Sequence, residues 1–426
     1  MPNDKDHDLS QEEGSEEKKY SFLRETIKPK PISREQLAKQ LVRIAIYGVI
    51  LGVFACLGFF ALKPLAQNWF RGEVETVTIP EDEDPSEEDT GNQEAEETSA
   101  PVADAQTYEE MLASMKERAE EAGKGIVSVK PVLEEEDWGA DITGISAAVT
   151  GVITADNGQE LLILADSSVC ELASKWTATF RDGKTYNAAL KKQDKNTHMA
   201  VFSVPRGNIS DSTWAAVKVS TLGNSNLVKQ GDVVIALGNM FGYADGMAYG
   251  VISSTEYKTA FFDGECDILA TDISTESEGT GVLFNMDGEV IGMISSSIWT
   301  ESENSMVNAY AVSDMKPIIE LLANGQSVPY IGVYGTTVTS QLTEEQGIPS
   351  GVYVVDVDPD SPAMAAGIQI GDVICGVSGN DTGNIVAYQR AVLETKAGEQ
   401  VKFKGKRLGA EGYVDVDFTV TVGSKE

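Results

Sequence analysis

Histidine is almost missing from this 426-residue chain, which has His7 and His198 and no others. A centre built from several imidazoles, such as a His-rich zinc site, is thereby excluded. Cysteine is scarce as well. Cys56, Cys170, Cys266 and Cys375 are too few and too scattered for a disulfide framework or a CxxC metal site, so no metal or cofactor is expected. Positive charge is short: 33 Lys and Arg stand against 67 Asp and Glu, a formal charge of −34. No nucleic-acid partner is expected, because neutralising phosphates takes an excess of cations. Apolar residues still make up 42% of the chain, enough for packed cores, and the length predicts two or three modules.

One long apolar run is present. Residues 44–62 read IAIYGVILGVFACLGFFAL, without a charge. As a helix the run is about 28 Å long, close to the hydrocarbon thickness of a bilayer. It is preceded by 43 residues and followed by Lys63-Pro64, which suits an uncleaved anchor better than a signal peptide. Arg24, Lys28, Lys30, Arg34, Lys39 and Arg43 precede it, against Lys63 and Arg71 after it. That bias predicts a single-pass protein of the cell membrane, with residues 1–43 as a disordered cytoplasmic tail and the rest extracytoplasmic. From Gly72 to Met115 there is no Lys or Arg but fifteen Asp and Glu. Such a stretch cannot bury enough apolar surface to offset chain entropy, so 63–107 is expected to be a disordered acidic linker.

From Tyr108 the pattern changes. YEEMLASMKERAEEAGKG spaces Met111, Leu112, Met115 and Ala119 as a helix would, and Gly123 stops it. Many short runs rich in Val, Ile and Thr follow, punctuated by Gly, Asn and Asp, with hairpin turns predicted at Asp182-Gly183 and Asp287-Gly288. The fold class is therefore mainly β. The motifs LGNSNLVKQGDVVIALGNMFG (222–242), GVISS (250–254), ATDIS (270–274) and NMDGEVIGM (285–293) occur in an order that resembles the HtrA (high-temperature-requirement A) serine proteases. The resemblance implies a chymotrypsin-like double β-barrel over 108–325, and commonly a homotrimer.

A serine protease of this kind needs an imidazole to take the serine proton, a carboxylate to fix the ring, and N–H groups for the oxyanion. The family's histidine motif has the form ILTNNHV; here ILADSSV (163–169) puts Ser168 at the base position. The aspartate motif TDLAVLKV is matched by THMAVFSV (197–204), which puts His198 there. The nucleophile motif GNSGGPL is matched within TDISTESEGTGVLFN (271–285), where Thr280 or Gly279 takes the serine's place and Glu276 and Glu278 fall where the family has neutral residues and a glycine. Losing one triad member typically costs roughly 10⁴-fold in kcat. The expectation is a catalytically impaired domain, in which Ser168 and His198 fill the old pocket and hydrogen-bond each other. The competing reading is an active serine-type endopeptidase with a rearranged Thr280–His198 dyad relayed by Ser168. Cys170 and Cys266 either pair or stay as isolated thiols.

After SVPYIGVYG (327–335), the segment DSPAMAAGIQIGDVI resembles a PDZ domain, covering 328–424. Pro362 is expected to open a short helix that Gly367 ends, and Cys375 to be a core residue. By resemblance, Tyr330, Ile331, Gly332 and Val333 form a carboxylate-binding loop whose N–H groups hold a peptide C-terminus. The combined expectation is a membrane-tethered HtrA-like pseudoprotease. It would bind exposed C-termini or unfolded segments as scaffold or sensor in extracytoplasmic protein quality control.

Overall fold

The computed structural model describes residues 47, 75–82, 105–132, 148–171, 173–275, 279–301 and 305–426. The chain divides into two units, Met1–Arg71 and Gly72–Glu426, and the second carries the fold that follows. The tail 1–43 and the expected membrane helix 44–62 lie outside the described residues, Tyr47 apart. Among the described residues, no helix is long and apolar enough to cross a membrane.

Helix α1 (Ala105–Gly123) leads into the first barrel, made of β1 (Ile126–Pro131), β2 (Val149–Asp156), β3 (Glu160–Asp166), β4 (Trp176–Thr179), β5 (Thr185–Asp194) and β6 (Met199–Pro205). These six close in the order β1-β2-β3-β6-β5-β4. A short helix, α2 (Asp211–Ala216), precedes the second barrel. Its strands are β7 (Val233–Gly238), β8 (Gly246–Phe261), β9 (Gly264–Ser274), β10 (Gly281–Phe284), β11 (Val290–Ile294) and β12 (Met306–Ala311). They close as β10-β11-β12-β9-β8-β7, with α3 (Ser296–Glu301) after β11 and α4 (Val312–Ala323) after β12. Closure removes the exposed edges that an open sheet of this size would have to protect.

Strand β3 explains how the barrels join. Its LLIL run does not alternate, because both faces are buried. Leu161 and Ile163 point into the first barrel with Ile153, Phe202 and Val204. Leu162 and Leu164 pack on the other side with Ile235, Leu237 and Phe284 of the second barrel. The expected hairpin glycines Gly183 and Gly288 both take the left-handed backbone that such turns need.

Two expectations change. Helix α1 buries Ala119 and Ala122, whereas Met111 and Leu112 are 52% and 42% exposed. Only its last turns reach the barrel, so the periodic apolar residues of its first half meet no core. Residues 75–82, expected as part of a solvated spacer, are fixed chain. Val77 and Ile79 pack on the core of the second barrel. Asn324 exchanges hydrogen bonds with the main chain of Val77 (3.1 and 2.9 Å), and Glu320 accepts from the Ile79 N–H at 2.8 Å. Lys316, buried in α4, then holds both oxygens of Asp82 at 2.7 Å. Alternating apolar residues and one buried cation outweigh the acidic composition of this stretch.

The C-terminal module is a sheet of β13 (Val333–Thr337), β14 (Val352–Val357), β15 (Val373–Val377), β16 (Asn380–Asp381), β17 (Gln400–Gly409) and β18 (Gly412–Thr421). Its order is β13-β14-β15-β17-β18, with β16 beside β15. Helix α5 (Ser340–Gln346) precedes β14, α6 (Pro362–Ala366) starts at Pro362 as expected, and α7 (Ile385–Leu393) lies against β13 and β15. Ser361 caps α6, and Gly367 ends it in the left-handed conformation.

Candidate functional site

The ladder of β3 and β6 ends at the pair Asp166 and Met199, so the backbone does bring the Ser168 and His198 positions together. Their contact is a main-chain one: the Ser167 N–H donates to the His198 carbonyl at 3.0 Å. The side chains do not meet. His198 has a positive φ of 57° and its ring is exposed, in a turn that closes on Asp194 and Thr197. The expected Ser168–His198 side-chain hydrogen bond is therefore absent, because the turn that pairs the main chains swings the imidazole outward.

Thr280 is 3% exposed and fully engaged. Its Oγ1 accepts from the Thr150 N–H at 2.6 Å and donates to Asn239 Oδ1 at 3.0 Å. Thr150 Oγ1 in turn donates to the Thr280 carbonyl at 3.0 Å. Since Thr150 lies on β2 and Thr280 precedes β10, this hydroxyl stitches one barrel to the other. The neighbouring candidate is just as confined. A Cβ on Gly279 would collide with the Asn239 carbonyl and lie 2.7 Å from Met240 Cα. Neither position presents a hydroxyl to an imidazole. Glu276, Ser277 and Glu278 lie outside the described residues.

What occupies the barrel junction is a carboxylate that the motif comparison passed over. Asp166, 4% exposed, accepts from the Ser168 N–H at 2.9 Å and the Ser296 N–H at 3.0 Å. It also accepts from the Ser296 and Ser295 hydroxyls. Ser295 continues to Ser297 at 2.9 Å, and Ser297 to the Tyr310 hydroxyl at 2.9 Å. This is an anchoring network, with the carboxylate acting as acceptor throughout. Its sequence signal was the Ser295-Ser296-Ser297 run after β11, which carries no motif of its own.

The second station is the loop before β13. The Ile331 and Gly332 N–H groups donate to Asp263 Oδ2 at 2.7 and 2.8 Å, and the Val333 N–H donates to Asp263 Oδ1 at 3.0 Å. The Tyr388 hydroxyl of α7 adds a fourth bond to Oδ1 at 2.8 Å. Burial pushes the Asp263 carboxyl above the usual carboxylate range, with the three N–H donors pulling the other way. Gly332 can turn its N–H inward because its φ is +90° and it carries no Cβ; one there would strike Ser361. Tyr330 is not part of this cradle. Its N–H goes to the Gly423 carbonyl at 3.0 Å, and its hydroxyl donates to Asp358. Of the four loop residues expected from sequence, Ile331, Gly332 and Val333 donate to this carboxylate and Tyr330 does not, while Asp263 and Tyr388 carried no expectation.

The described cysteines are free thiols, so Cys170 and Cys266 do not pair. Cys266 is buried, with Sγ 3.7 Å from the Ala311 carbonyl. Cys375 is half-buried in the middle of β15 and not in the core, with Sγ 3.4 Å from the Ser350 carbonyl.

Two closed six-stranded barrels packed against each other, followed by a sheet with a backbone carboxylate cradle, define a trypsin-like peptidase fold linked to a PDZ domain. Residues 149–293 match the trypsin-like peptidase domain family and 329–420 the PDZ domain family. The chain is 30% identical over 275 residues to "Putative serine protease HhoA" of Synechocystis sp., spanning 61% of this chain and 67% of that one. It is 31% identical over 281 residues to "Probable periplasmic serine endoprotease DegP-like" of Halomonas elongata, over 64% of this chain and 56% of the relative. "Serine protease Do-like HtrB" of Bacillus subtilis is 29% identical over 282 residues, 60% of each chain. The chain thus spans little more than half the length of these last two relatives. The solved structure "HtrA-type protease AlgW with decapeptide" shares the fold, with a TM-score of 0.52 at 20% identity over 73% of this chain and 99% of that one. The chain belongs to the HtrA family, with a trypsin-like peptidase domain and one PDZ domain.

Proposed function

We propose that this chain is a single-pass membrane protein whose trypsin-like domain no longer cuts peptide bonds. Its PDZ domain binds exposed C-termini or unfolded segments outside the membrane, as scaffold or sensor in extracytoplasmic protein quality control. The observation that carries the first half is the separation of the two groups a protease must join. Proton abstraction requires heavy atoms at about 2.6–3.2 Å, directly or through one water. Here the Thr280 hydroxyl is spent on Thr150 and Asn239, and the His198 ring is exposed in a turn of the first barrel. The second half rests on a backbone cradle of three N–H groups already shaped around a carboxylate. Anchoring by 44–62 rests on hydropathy and flanking charge, extracytoplasmic placement on the same charge bias, and a trimer on family likeness alone.

The test uses the purified full chain in detergent micelles, incubated with casein and with a quenched fluorescent peptide. No cleavage is expected above that of Thr280→Ala and His198→Ala. Turnover by the parent chain that either substitution abolishes would establish the family's usual endopeptidase activity instead.

A further inference from the structure

The carboxylate in the PDZ cradle belongs to the chain itself. Asp263 sits at the turn between β8 and β9 of the second barrel, and this hairpin tip reaches across to the PDZ domain. The insertion follows the pattern of a bound peptide end. Three successive N–H groups, from Ile331 to Val333, cap the two carboxylate oxygens. The Asp263 N–H donates to the Val333 carbonyl at 2.7 Å, the first bond of a strand added to β13. Strand β13 is the free edge of its sheet, and β14 is its one paired strand among the described residues. From the opposite wall, α7 supplies the Tyr388 hydroxyl and the Gln389 side chain, whose oxygen accepts from the Glu265 N–H at 3.1 Å.

The neighbouring residues secure the tip. Phe262 lies edge-on to Tyr330 and Tyr334, with ring centroids 6.2 and 6.0 Å apart, and Lys425 Nζ stands 4.8 Å from its centroid. Asn196 of the first barrel donates to the Phe262 carbonyl at 2.7 Å. Asp263 has a φ of +66°, which hairpin-turn aspartates commonly take, so the turn itself accounts for its backbone. The burial of its carboxylate is met by four donors, the three N–H groups and the Tyr388 hydroxyl.

We propose that Asp263 is a built-in occupant of the PDZ carboxylate site, and that an external peptide C-terminus enters the groove only in exchange for it. The inference rests on the peptide-binding reading above and adds its regulation: the groove is closed until the β8–β9 tip withdraws. A free α-carboxylate satisfies the same three N–H groups, and a C-terminal amide, lacking the second acceptor oxygen and the charge, does not. Because the competent state is only a fraction of the population, apparent affinity is reduced by that fraction, and removing the occupant restores it.

The test compares the full chain with Asp263→Ala, and with Asp263→Asn, which keeps the side-chain volume and one acceptor. The probes are labelled decapeptides ending in Val, Leu or Phe, each as free acid and as C-terminal amide. Fluorescence polarisation should show Asp263→Ala binding at least one free acid tenfold or more tighter than the parent chain, Asp263→Asn in between, and no amide bound. Hydrogen exchange at Ile331, Gly332 and Val333 should accelerate in Asp263→Ala and slow again when the free acid is added. Equal affinity of parent and Asp263→Ala for a free acid, with unchanged exchange, overturns the occupant and leaves peptide binding standing. Faster exchange in Asp263→Ala with no free acid bound overturns the exchange mechanism together with the peptide-binding reading.

Discussion

The barrel junction and the PDZ loop are held by contacts of different kinds, and the difference shows in what each would lose to a substitution. At the junction the contacts are made by side chains. His198 lies exposed in its turn, and the Thr280 hydroxyl is committed to Thr150 and Asn239, holding the barrels together. At the loop the contacts are made by main-chain N–H groups, set in place by the buried side chains of Ile331 and Val333. Gly332 adds a requirement of the opposite kind, a missing Cβ. Contacts built from side chains can be removed one substitution at a time, whereas a main-chain N–H is moved only by a change that shifts the backbone.

That contrast is broken most severely at Gly332. Placing Val there forces a β-branched residue into a φ of +90° and drives its Cβ into Ser361, whose Oγ would stand 2.8 Å away. Strain and overlap together should cost about 3 kcal/mol or more, and should turn the N–H away from Asp263. Thermal unfolding should report a fall of several degrees, accompanied by faster exchange at Ile331 and Val333. A variant with unchanged Tm would mean the loop is far less constrained than its geometry implies.

The junction offers a smaller effect of the opposite character. Thr280→Val keeps the shape and removes the hydroxyl, so the Thr150 N–H loses its acceptor in a buried place. An unpaired buried donor costs about 1–3 kcal/mol. Thr280→Ser, which keeps the oxygen, should lose well under half of that. If the hydroxyl were instead a poised nucleophile, the Val variant would abolish turnover with little change in stability. Denaturant titration of both variants separates these outcomes.

How much of this was readable in the sequence follows the same divide. Strand periodicity, the two Asp-Gly turns and the ordered motifs gave the barrels, and DSPAMAAGIQIGDVI gave the PDZ core, since these signals are local. The loop at 330–333 was readable through its resemblance to the PDZ carboxylate-binding loop. Asp263 was not, although FFDGEC (261–266) contains a plain hairpin turn, because its partner lies 68 residues away and only the packing of two domains brings them together. The strap at 75–82 was hidden by its acidic neighbours: composition averages over a window, whereas Lys316 selects one carboxylate, Asp82. The exposed ring of His198 was missed for a related reason. Alignment places a residue at a ladder position but says nothing of a positive φ.

Cys170 gives the mildest test, and it probes the first barrel's share of the junction. Burial pushes its thiol up to about 12, and the nearby Asp166 carboxylate adds to the shift. The sign is that of an acid harder to ionise when folded, so near pH 8 the thiolate fraction is roughly a thousandth or less. Alkylation of Cys170 by iodoacetamide should therefore be slow in the native chain and keep rising about tenfold per pH unit between 8 and 10. An ordinary exposed thiol would already level off within that range. Replacing Asp166 with Asn removes the neighbouring charge while keeping an acceptor for Ser168 and Ser296, so the rate at fixed pH should rise by a few-fold. A plateau below pH 10 in the parent chain would show that the loop carrying Ser168 is open to solvent, and that this side of the junction is less firmly packed than the PDZ cradle with which it has been contrasted.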